Sequence, residues 1–65
     1  MTMYRVQSGE LDVALAAENE AEAARAALGR YLLPGQKVGV MVLVEGTDTE
    51  AVYLPTMKLI EEVTR

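Results

Sequence analysis

The chain has 65 residues, of which 51% are hydrophobic and 5% aromatic, and its net charge is −4. It contains no cysteine and no histidine, which excludes disulfides, zinc–thiolate centres and the commonest general base and metal ligand. A chain of this size forms one domain, here residues 1–65, and buries only about 60% of the surface that its unfolded form exposes, so association often adds stability.

Targeting and membrane features are absent from the sequence. The N-terminus lacks the apolar stretch of a signal peptide, and the longest apolar run is far shorter than a membrane span. These observations predict a cytoplasmic protein with no membrane segment. The excess of acidic side chains also disfavours a nucleic-acid ligand, because its phosphates are negatively charged.

The first predicted unit is a β-hairpin over Met3–Gln7 and Glu10–Ala16, joined by a two-residue loop at Ser8-Gly9. This register places Arg5 opposite Asp12 as a cross-strand pair of opposite charge. It also gathers apolar side chains on one face: Tyr4, Val6, Leu11, Val13 and Leu15.

A helix follows the hairpin. Asn19 is a good N-cap, and Glu22 completes a capping box three residues later. The helical repeat predicts a helix to about Leu32 with a buried stripe of Ala21, Ala24, Leu28, Tyr31 and Leu32, and an outer side of Glu22, Ala23, Ala26 and Arg30. Pro34-Gly35 then predicts a turn with a positive φ at the glycine.

The segment Val38–Val44 is apolar at every position, which predicts a central strand covered on both faces. A four-residue loop over Gly46–Thr49 leads to a short strand, Ala51–Leu54, and pairs Leu43 with Val52. In this register the core face carries Met41, Leu43, Val52 and Leu54. The opposite face carries Val38, Val40, Val42, Val44, Ala51 and Tyr53.

A short helix ends the predicted order. Pro55 stops the preceding strand, and Thr56 is positioned to cap a helix with a stripe of Leu59, Ile60 and Val63. The fold class is therefore α+β, in the order β-β-α-β-β-α, with helices packed on a small antiparallel sheet.

The valine-rich face is the predicted interface. An uncovered row of valines beside a tyrosine would be a large apolar patch for a monomer. We expect a second copy to cover it as a two-fold homodimer, or another protein, such as a host protein, to do so. The predicted interface residues are Val38, Val40, Val42, Val44 and Tyr53.

Two stretches carry a resemblance to known proteins. Tyr4-Arg5-Val6 with Ser8-Gly9-Glu10-Leu11-Asp12-Val13, followed by Glu18-Asn19 to Ala27, resembles short uncharacterised proteins of bacteriophage and bacterial genomes. This resemblance covers about half the chain and implies a small α+β accessory protein with no established activity; a phage-derived origin is the accompanying hypothesis. The β-β-α opening is also similar to that of HicB-type antitoxins.

Candidate chemical sites have simpler interpretations. Glu45, Asp48 and Glu50 offer oxygens to a divalent cation, but their spacing differs from that of an EF-hand, and a solvated loop is the simpler reading. The acids Glu18, Glu20 and Glu22 could dock a basic partner, although acids are expected where a helix begins. Hydroxyl groups lack a neighbouring base. We therefore predict no catalytic, cofactor-binding or metal-binding residues and no enzyme activity.

Two functions follow from these observations. The first is a non-enzymatic protein-interaction or accessory module that acts as a homo-oligomer. The alternative is a nucleic-acid-binding or antitoxin-like regulatory protein that uses Arg25, Arg30 and Lys37, with Tyr31 and Tyr53 stacking on bases. Tyrosine at a core edge or a subunit interface is the simpler role for these rings.

Overall fold

The computed structural model describes residues 1–47 and 50–63 of the chain, without the side chains of residues 62 and 63. It contains strands β1 (Thr2–Ser8) and β2 (Leu11–Ala17), helix α1 (Glu20–Ala26) with a π-helical extension (Ala27–Tyr31), strands β3 (Met41–Gly46) and β4 (Val52–Pro55), and helix α2 (Thr56–Val63). The predicted α+β class and element order are confirmed. The strands form one antiparallel sheet in the order β2-β1-β3-β4.

The hairpin turn lies one residue later than the sequence predicts. Ser8 pairs with Leu11, so the loop is Gly9-Glu10, and only its first residue has a positive φ, the pattern of a type II′ turn. The pairing differs from the predicted register by two residues. Because side chains alternate with a period of two, the predicted apolar face is preserved.

Helix α1 begins at the predicted cap. The backbone N–H of Glu22 donates to Asn19 Oδ1 over 2.9 Å, and Glu22 Oε2 in turn accepts from the backbone N–H of Glu18 over 3.3 Å. Ala23 is fully buried beside Ala24, so its predicted outer position is wrong. The π-helical turn is wider than an α-turn, which explains why Tyr31 points away from the core and is exposed.

The core lies between the sheet and the helices, on one face of the sheet only. Small alanines let α1 approach closely, and the phenol of Tyr4 donates to Glu20 over 3.2 Å. Burial and this hydrogen bond raise the pKa of Tyr4. The buried apolar residues are Tyr4, Val6, Leu11, Leu15, Ala17, Ala23, Ala24, Ala27, Leu28, Val42, Val44 and Leu59.

Strand β3 begins three residues later than predicted because the preceding segment is bound to the hairpin turn. Glu10 donates its backbone N–H to the Lys37 carbonyl and accepts the Lys37 N–H at Oε1, both over 2.8 Å. The hydroxyl of Ser8 accepts the Gly39 N–H over 3.0 Å and donates to the Met41 carbonyl over 2.9 Å. We call this set of contacts, between Ser8–Glu10 and residues 36–41, the turn clasp.

The turn at Pro34-Gly35 has the predicted positive φ, +83° at Gly35. At α2, the Thr56 hydroxyl is buried and has no hydrogen-bond partner among the described residues, so the predicted side-chain cap is wrong. Instead, the Thr56 N–H donates to the Val40 carbonyl over 3.0 Å. Leu59 packs in the core as predicted, whereas Ile60 is 39% exposed; the Val63 side chain lies outside the described part of the chain.

The turn clasp predicts unequal effects of alanine at the two glycines with positive φ. A left-handed backbone at a non-glycine residue costs about 1–2 kcal/mol. A Cβ at Gly9 would also lie 2.6 Å from the Lys37 carbonyl oxygen, whereas a Cβ at Gly35 would meet nothing within 4 Å. We expect Gly9→Ala to lower the free energy of unfolding clearly more than Gly35→Ala, measured by urea denaturation at one protein concentration. Equal losses would contradict the clasp.

Candidate interaction surface

The sheet has one face that carries no helix, and we call it the open face. Alternate residues of each strand point to it, opposite the core face that packs against α1 and α2. Its members come from all four strands: Met3, Arg5, Gln7, Asp12, Ala14, Ala16, Met41, Leu43, Glu45, Tyr53 and Pro55.

One end of the open face is apolar. Met41 pairs with Pro55, and Leu43 pairs with Tyr53 across β3 and β4. Tyr53 is 64% exposed, and Met41 is also exposed. These four side chains form a contiguous apolar group that no described helix covers, with Met41, Tyr53 and Pro55 exposed and Leu43 partly buried.

The middle of the open face is charged, and two of its charged side chains form an ion pair. Arg5 donates from Nε and from Nη2 to the two carboxylate oxygens of Asp12, over 3.1 and 2.9 Å, and Glu45 lies opposite Arg5 on β3. Arg5 and Asp12 are diagonal neighbours, because Arg5 pairs directly with Ala14. The hydrogen bond from Arg5 lowers the pKa of Asp12, and the same bond raises the pKa of Arg5.

The predicted interface residues differ in their burial in the structure. Val42 and Val44 are 0% exposed and lie in the core, Val38 packs partly buried against that core, and Val40 and Tyr53 are exposed. The prediction that the valines form one uncovered face is therefore wrong.

The cause is a shift of one residue between β3 and β4. Val44 pairs with Val52, and Leu43 pairs with Tyr53, whereas the sequence prediction paired Leu43 with Val52. A shift of one residue exchanges the two faces of a strand. Met41 and Leu43, predicted for the core, consequently lie on the open face.

Met3 also lies on this surface, which the sequence analysis above does not predict. Met3 is exposed on the same side of β1 as Arg5. The alternating pattern of β1 is the signal that predicts this position, because Tyr4 and Val6 face the core and their neighbours must then face away.

Only two of the three predicted cations are brought together. Arg25 and Arg30 line one open hollow with Glu22, near the C-terminal end of β2, whereas Lys37 contacts the hairpin turn at the other end of that strand. The seven residues of β2 span roughly 20 Å at about 3.3 Å per residue.

The acidic side chains do not gather in groups of three in the part of the chain that is described. Asp48 of the predicted loop lies outside the described residues. Glu22 of the N-terminal acids acts in the helix cap, and Glu20 accepts the Tyr4 hydroxyl. These contacts agree with a structural role for both acids.

Comparison with known proteins gave no match to a family model, a curated protein or a solved structure. No helix in the described residues is long and apolar enough to cross a membrane.

The Arg5–Asp12 contact predicts a measurable titration. A carboxylate whose folded pKa is lowered stabilises the fold above its unfolded pKa, and this contribution is lost as the pH falls through the folded pKa. We expect Asp12 to titrate below its ordinary value in wild type and to move upward in Arg5→Gln, followed by carboxyl NMR shifts. Arg30→Gln is the control that removes the same charge elsewhere. An unchanged Asp12 pKa in Arg5→Gln would contradict the observed pairing.

Proposed function

We propose that this protein is a non-enzymatic interaction module that functions as a homo-oligomer, with the open face as its binding surface. The observation that carries the proposal is the apolar group of Met41, Leu43, Tyr53 and Pro55 on a sheet face without a helix. Exposed apolar patches rimmed by polar residues are typical of protein-binding surfaces.

The energy of covering this group supports association. Burying one large apolar side chain that was exposed contributes about 1.5–3 kcal/mol. Association also costs an estimated 4–15 kcal/mol in lost freedom of motion. In a two-fold contact both copies bury the same apolar side chains. A second copy is therefore the simplest partner whose burial energy offsets the cost of association.

The charged centre is compatible with such a contact. Removing unpaired charges from water is strongly unfavourable, but Arg5 and Asp12 already satisfy each other through two hydrogen bonds. A covering partner would therefore meet a locally compensated pair, with Glu45 at its side.

The test is the assembly mass by sedimentation equilibrium over a range of micromolar concentrations. We expect wild type to have at least twice the chain mass of 7.1 kDa. Leu43→Glu places a charge in the apolar group and should weaken association through this face at least tenfold; Tyr53→Glu, at a more exposed position, should act in the same direction.

Met57→Glu is the matched control, because Met57 is 75% exposed on α2, on the helical side of the sheet. Circular dichroism checks that each variant folds. A wild type that still has a mass of 7.1 kDa at about 100 µM, the top of the concentration range, would overturn the proposal. A folded Leu43→Glu variant with the wild-type mass would also overturn it.

A further inference from the structure

The two edges of the sheet differ in how they are protected. Edge strand β4 has four residues and ends in Pro55, and short strands and proline are common protection against pairing with other chains. Edge strand β2 has seven residues with no proline and no lysine, and Asp12 is its one charge. That charge is paired with Arg5, so β2 lacks the usual protection.

The hairpin register determines which backbone N–H and C=O groups of β2 point outward from the sheet. Ser8 and Leu11 flank a two-residue loop and form a hydrogen-bonded pair, and such pairs alternate along an antiparallel ladder. The backbone groups of Asp12, Ala14 and Ala16 therefore point away from β1. Among the described residues, no other segment forms backbone hydrogen bonds with these three.

We infer that β2 is a second self-association site, at which the β2 strands of two copies pair antiparallel about a two-fold axis at Ala14. This register sets Ala14 opposite Ala14 and Asp12 opposite Ala16 of the second copy. It uses all three outward-pointing residues of each strand, for about six inter-chain hydrogen bonds. The two sheets then form one continuous sheet with four strands from each copy.

The side chains of β2 fit a second copy. On the open face the register brings together alanines, and Asp12 does not face another Asp12. On the core face Val13 lies opposite Leu15 of the second copy. Val13 is only partly buried in the single chain although it packs against the core, and the added strand would complete its burial.

Charge at the strand ends also favours a second copy. The open hollow of about 600 Å³ beside Ala16 is lined by Arg25 and Arg30 together with Glu22. In the inferred register, the turn end of β2 in the second copy, which carries Glu10, lies beside this hollow, whereas its Asp12 lies on the open face and is paired with Arg5. Glu18 falls opposite Glu10 of the second copy, but beyond the last hydrogen-bonded pair and in solvent, where salt screens such repulsion.

Edge pairing about an axis normal to the sheet leaves the helices of both copies on one side and both open faces on the other. It therefore does not compete with the binding surface proposed above. Edge pairing and open-face packing together would give a four-copy assembly, and either contact alone would give a dimer. The two contacts are consequently separable by mass.

The experiment compares assembly masses of wild type, Ala14→Pro, Leu43→Glu and the double variant. Proline at position 14 removes an outward N–H and obstructs a neighbouring strand, while the bonds to β1 remain, since proline is tolerated on edge strands. We expect Ala14→Pro to halve the wild-type mass whether or not the open face also associates. An unchanged mass in folded Ala14→Pro would overturn edge pairing, whereas an unchanged mass in Leu43→Glu would overturn only the open-face proposal.

Amide hydrogen exchange provides a readout without substitution. We expect the N–H groups of Asp12, Ala14 and Ala16 to become at least tenfold more protected as wild-type concentration rises through the association range. The Val13 amide, which faces β1, serves as the internal control and should be protected throughout. Rapid exchange at all three edge amides in the assembled protein would overturn the inference, even if Ala14→Pro does not fold.

Discussion

The turn clasp is the contact on which the rest of the structure depends. It joins the hairpin turn to residues more than 25 positions later through the Glu10–Lys37 and Ser8–Met41 hydrogen bonds. The buried Ser8 hydroxyl uses its donor and acceptor capacity on the backbone of Gly39 and Met41, so neither backbone group is left unsatisfied at a point where the ladder between β1 and β3 has ended. The position of residues 36–41 fixes where β3 enters the sheet.

That entry point decides which residues enter the core. Val44 comes to lie opposite Val6, and Val42 follows it onto the helical side. The carbonyl of Val40, just before β3, then accepts the first N–H of α2, so the same segment also positions the second helix. Both helices consequently cover one face, and the other face leaves Met41 and Tyr53 exposed and Leu43 partly exposed. The proposed function is a consequence of this one-sided arrangement.

The sequence was sufficient for features with a local cause. The Asn19 cap, the Pro34-Gly35 turn and the alternation of β1 each depend on a few neighbouring residues, and the hairpin face was predicted correctly although its turn lies one residue later. The faces of β3 were not predictable in this way, because both of its alternating sets are apolar and its register depends on the distant clasp. The unprotected edge of β2 likewise becomes visible only with the strand order.

The most direct test of this account is a methyl NOESY spectrum of the folded protein, because methyl contacts report the faces of β3 within each chain. We expect contacts from the methyl groups of Val42 and Val44 to those of Ala23, Ala24 and Ala27, and none from Leu43 to these alanines. Contacts from Leu43 to the helix, with Val42 and Val44 lacking them, would contradict it.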